Sequence, residues 1–167
     1  MLLRAGATAL ILSALTLANA NAGECGREAF AAVVSEASTA LTAMNETQKQ
    51  SFHARLQLLK TRTGWSDADY VANARPFVQD DRIAAIDAET KALLAKVPEL
   101  GASGQPSPAL AGAVASIETS TDQHCAMLGQ LRGLMAKVVE NNRAKWTYMI
   151  GKVDAALESA RQAKAGQ

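Results

Sequence analysis

"REAFAAVVSEASTALTAMNETQKQSFHARLQLLKTR", residues 27–62, contains neither glycine nor proline. Its apolar residues Phe30, Val33, Val34, Ala37, Leu41 and Met44 recur at steps of three and four, and Phe52, Leu56 and Leu59 continue close to the same phase. Positions three and four apart share one side of an α-helix, so this period describes a helix with a single buried face. The polar run from Asn45 to Ser51 interrupts it: Gln48 falls on the apolar stripe, and Thr47 and Gln50 have the spacing of a capping box. The segment is either one long helix or a hairpin broken at "MNETQ" (44–48), and the polar run favours the break.

The next stretch, "TGWSDADY" (63–70), carries helix-start chemistry. Ser66 is placed as an N-cap with Asp69 three residues on, and Trp65 and Tyr70 occupy the positions of a hydrophobic staple. The helix that follows is expected to end near Pro76, because a residue before proline disfavours helical angles. Asp80 can cap a further helix with an inner face of Ile83, Ile86, Leu93, Leu94 and Val97, stopped by Pro98. "PELGASGQPSP" (98–108) then reads as a loop, and Ser107 before Pro108 as the next cap.

From there Leu110, Val114, Ile117, Leu128, Leu131, Met135, Val138, Trp146, Met149, Ile150, Val153 and Leu157 share one stripe. A straight helix over 108–162 would be about 80 Å long. A kink is therefore expected near "TSTDQ" (119–123) or near "ENNRAK" (140–145), where Asn142 lands on the stripe. No stretch alternates in the manner of a strand. The expected fold is all-α: a small bundle of about five helices with a long C-terminal helix and one disulfide.

The N-terminal residues bear on the compartment. "MLLR" is a short basic n-region, Ala5–Leu17 is apolar or small throughout, and "ANANA" (18–22) offers cleavage after Ala20 or Ala22. That pattern is a Sec-type signal peptide, leaving 23–167 as a single helical domain in the periplasm or secreted. Glu24 precedes Cys25 where a lipoprotein carries a small residue, which disfavours a lipid anchor. Cys25 and Cys125 are the two cysteines of the chain, and in an oxidising compartment they are expected to pair. Closing a loop of this length stabilises a fold by about 4–5 kcal/mol in the chain-entropy model. A metal site of Cys25, Cys125, His124 and His53 lacks ligand spacing, since neighbours on a helix point about 100° apart. No metal and no cofactor are expected.

Without the leader the chain carries sixteen bases and sixteen acids, so charge supplies no reason to bind nucleic acid or an anionic membrane. The distribution is uneven: 64–125 holds nine acids and four bases, whereas 126–167 holds seven bases and three acids. The acidic middle is expected to pack near the basic tail. No later run is long and apolar enough for a membrane span.

Catalytic patterns are missing from the sequence. There are two histidines, no G-x-S-x-G turn and, once the cysteines pair, no free thiol. The acids of "SDAD" (66–69) and "QDDR" (79–82) sit at helix starts, where they complement the helix dipole. "NET" (45–47) matches the glycosylation sequon, but the leader looks bacterial. C-x-x-C-H is absent, which leaves non-covalent haem on His53, His124 or a methionine as the ligand-binding alternative.

"LTAMNETQKQSF" (41–52) distantly resembles the leucine-threonine-x-x-glutamine motif of Spy-type periplasmic chaperones, small all-helical proteins that cradle unfolded clients. Leu41 and Thr42 match; Asn45 stands where the motif has glutamine, and no second copy is present. The functional expectation is a non-enzymatic envelope protein that binds a protein or peptide partner, with a haem or small-ligand bundle as the alternative. "NNRAKWTYMIGK" (141–152) is the candidate partner-binding segment, Trp146 and Met149 supplying apolar contact and Arg143 charge.

Overall fold

A computed structural model of the chain describes residues 25–103 and 115–166, with side chains over 25–100 and 121–166. Residues 1–22, read above as a leader, lie outside the described residues, as do the expected Ser107–Pro108 cap, Leu110, Val114 and the side chain of Ile117. The fold is all-α: helix α1 (Arg27–Thr63), α2 (Tyr70–Val78), α3 (Asp81–Ala95), the seven-residue α4 (Val97–Ser103) and the long α5 (Ala115–Ala165).

α1 is one unbroken helix of 37 residues, so the hairpin expected at "MNETQ" does not form. Thr47 does not cap there; its hydroxyl donates to the carbonyl of Ala43, one turn back in the same helix. The polar residues have a partner across the bundle, since Asn45 Oδ1 accepts from Asn142 Nδ2 at 2.9 Å and from the Trp146 indole N–H at 2.8 Å. The polar interruptions of the two long stripes thus face each other. Neither "TSTDQ" nor "ENNRAK" interrupts α5. α1 ends where Gly64 turns left-handed at φ 73°, with the Gly64 and Trp65 amides both donating to the Lys60 carbonyl. A residue with a Cβ is strained at that angle even though a Cβ there meets nothing within 4 Å, which favours glycine.

α1 and α5 run parallel. Cys25 and Cys125 lie at disulfide distance, with Cα atoms 5.0 Å apart and a sequence separation of 100. Further down, Met44–Asn142, Asn45–Asn142, Asn45–Trp146 and Arg55–Asp154 meet at separations of 98, 97, 101 and 99. A near-constant offset is the mark of two helices side by side in one register. α3 runs against α5: Ile83 packs with Met149 and Val153, whereas Leu93 packs with Leu131, Met135 and Val138. α5 touches every other helix and forms the spine of the bundle.

The core is two clusters stacked along that spine. The lower one joins Phe52, Leu56, Leu59, Ile83, Met149, Val153 and Leu157, and Trp65, Tyr70, Ala74 and Phe77 close over it. The upper one joins Ala37, Leu93, Leu131, Met135 and Val138. Leu94, expected on the inner face of α3, is 46% exposed instead, one residue round the helix from buried Leu93.

Proline positions depart from expectation in two places. α2 continues past Pro76 to Val78. Stopping there would withdraw Phe77 from the lower cluster and from Trp65, whose ring centroid lies 6.4 Å away. Packing therefore outweighs the local preference against helix before proline. Pro98 follows the end of α3 at Ala95, but it sits in the first turn of α4, where its missing N–H costs nothing. The segment read as loop is thus helical through Ser103.

Candidate functional site

Three polar arrangements and one groove stand out against this apolar frame. The first is a junction at the foot of α3. Asp80 caps α3 by accepting from the Ile83 amide at 2.9 Å, as its position before the helix suggested. Its other oxygen accepts from Tyr148 Oη at 2.9 Å and from Lys152 Nζ at 2.5 Å. Lys152 also reaches the Pro76 carbonyl, and Arg82 lies over the Tyr148 ring at 4.4 Å. The Lys152 ammonium, then the Ile83 N–H, hold the Asp80 carboxyl down at about 2. The same carboxylate pushes the Tyr148 hydroxyl above its ordinary range. The junction thus clasps α2, α3 and α5.

The second arrangement is the asparagine layer between the two clusters, built from Asn45, Asn142 and Trp146. Trp146 also meets Phe52 edge-on at 6.1 Å. Asn45, the asparagine of the "NET" sequon, makes both contacts from an exposed position at the edge of the helix pair. Beside it, Asn141 Nδ2 is buried without a partner among the described residues.

The third is the Cys25–Cys125 pair at the upper end, both residues half-buried. It occupies both thiols that a metal site would need. His124 adjoins it, half-buried, whereas His53 is exposed and about 40 Å further down the helix pair at about 1.5 Å per residue. The two histidines cannot ligate one iron within a single chain. Among the described residues no cluster of three or more histidine, cysteine or acidic side chains could hold a metal ion.

The segment 141–152 is not gathered into one accessible face. Of the three residues singled out, Met149 is 6% exposed in the lower cluster, Trp146 turns towards Phe52 and Asn45, and Arg143 is exposed and paired with Glu140 at 2.7 Å.

A groove that the sequence reading missed runs between α4 and α5. It encloses ≈ 430 Å³, with Leu100 and Leu134 as apolar lining and Lys96, Glu99, Gln130 and Lys137 as polar lining. Its volume lies within the range of small-ligand pockets. Lys145 and Lys152 pair with Asp87 and Asp80, but neither Lys96 nor Lys137 has a carboxylate partner among the described residues. The groove needs α4, which the sequence presented as loop, so no periodicity signal could have assembled it. The expectation that the acidic middle packs on the basic tail is met by Asp80–Lys152 and Asp87–Lys145. The chain matches no family model, no curated protein and no solved structure.

Proposed function

We propose that this is an exported, non-enzymatic helical protein of the bacterial envelope that binds a protein or peptide partner, in a chaperone-like or interaction role. Residues 1–22 serve as its leader, removed after Ala20 or Ala22, and the mature protein resides in the periplasm or is secreted. A cysteine pair at disulfide distance supports an oxidising compartment. No helix among the described residues is long and apolar enough to cross a membrane. Mass spectrometry of the exported protein tests the leader: a mature chain beginning at Asn21 or Gly23 is expected, and an intact Met1 in that fraction overturns it.

The observation that carries the binding role is the α4–α5 groove, apolar along Leu100 and Leu134 and carrying Lys96 and Lys137, which form no ion pair with a carboxylate among the described residues. Such a groove suits a partner segment that presents apolar side chains next to acids. A fluorescently labelled peptide alternating leucine and glutamate is the probe. Its anisotropy should rise with added protein, and Lys96→Glu with Lys137→Glu should weaken binding by about tenfold or more at unchanged Tm. Equal binding of a leucine–lysine peptide, or none of either, removes the groove reading.

A further inference from the structure

The two halves of α1 are held to α5 by different means. Below the asparagine layer Phe52, Leu56 and Leu59 are all buried, and Arg55 pairs with Asp154 at 2.8 Å. Above it, Ala37 is the one buried residue between Arg27 and Ser51. Phe30, Val33 and Leu41 lie half-buried against the upper cluster, and Val34 is 41% exposed. Among the described residues no side-chain hydrogen bond or ion pair joins residues 27–43 to α5. The α5 side of the same contact is strongly apolar, with Leu131 and Val138 at 2% exposure and Met135 at 6%. A weakly packed half-helix therefore covers a well-buried apolar face. Its upper end is pinned by Cys25 on Cys125, and its lower end by Asn45 on Asn142.

We propose that residues 25–44 are a redox-latched strap: reducing the Cys25–Cys125 bond frees the upper half of α1 and uncovers Leu131, Met135 and Val138, while the lower cluster stays folded. The reductant is a dithiol. Its two thiols are oxidised to a disulfide, two electrons pass to the protein's S–S bond, and Cys25 and Cys125 each leave as a thiol carrying one proton. Both cysteines are half-buried, so a small dithiol can approach them. With both ends pinned, the strap opens only as a closed loop of some twenty residues. With one end free that restraint is gone, a difference of about a hundredfold in the opening equilibrium. The asparagine layer is the hinge, because apolar packing is interrupted there.

Hydrogen exchange read by mass spectrometry on the full chain tests this, comparing the oxidised protein with the same protein in dithiothreitol and with the Cys25→Ser, Cys125→Ser variant. Amides of 30–43 should exchange about a hundredfold faster in both unlatched forms, with those of 52–63 and 146–160 unchanged. Fluorescence of 1-anilinonaphthalene-8-sulfonate should rise in parallel as the apolar face is uncovered. Unchanged exchange in 30–43 overturns the strap. So does equal acceleration along the whole of α1, which means that the bond supports only global stability.

Discussion

Asp80 divides one carboxylate between a helix cap and a clasp, and the two uses can be separated. Asparagine keeps a cap oxygen for the Ile83 amide but abolishes the charge that holds Lys152 and Tyr148. The folded carboxyl titrates at about 2, below its unfolded value of about 3.9. A depressed folded value contributes stability that is present above the unfolded pKa and is lost as pH falls through the folded one. Wild type should therefore lose its advantage over Asp80→Asn between pH ~4 and ~2 in urea titrations at stepped pH. A constant gap between the two down to pH 2 rules out this linkage. The raised Tyr148 hydroxyl acts at the other extreme, contributing below its unfolded value and losing that contribution in strong alkali. Glycine supplies a second contrast at this scale. A Cβ at Gly133 meets nothing within 4 Å, so Gly133→Ala should stabilise by about 0.5–1 kcal/mol through helix propensity alone. Gly64→Ala forces φ 73° on a residue with a Cβ and should cost about 1–2 kcal/mol. Denaturant midpoints moving in opposite directions are the expected outcome.

At the scale of elements, the asparagine layer explains why two polar interruptions do not become breaks. A polar interruption is a defect only while its partner is unknown, and here Asn45 of the polar run in α1 lies opposite Asn142 of α5. Asn45→Leu leaves the Asn142 amide and the Trp146 indole without their acceptor at a partly exposed site, so it should cost about 0.5–1.5 kcal/mol. Asn45→Leu with Asn142→Leu should recover part of that, giving a favourable coupling in a double-mutant cycle. Additive costs would mean that the layer is solvated and inert. The helical period of both long segments and the Asp80 cap were visible in the sequence, because these depend on neighbours within a few turns, whereas the unbroken course of α1 and the left-handed Gly64 were not. The groove was not legible, since it rests on Pro98 starting a helix after the previous one has stopped, and either reading of that proline obeys the same local rule.

Across the whole molecule the cysteine pair joins the beginning of α1 to α5 and completes a parallel register that three lower contacts also maintain. Cys125→Ser should lower Tm and leave far-UV helicity close to wild type, because the lower cluster does not depend on the link. Loss of helicity along the whole chain would contradict that independence. Composition and period determined the all-α class, the amphipathic faces of the two long segments and the expectation that the cysteines pair. These follow from side-chain chemistry and a 3.6-residue repeat acting over short distances. Tertiary structure alone decided that α1 runs unbroken and parallel to α5, that Met149 and Trp146 face inward, and that α4 walls a groove with two lysines. Those outcomes turn on contacts between residues distant in sequence, 97 and 101 positions apart for Asn45 with Asn142 and Trp146, where the energy of a polar side chain depends on what stands opposite it.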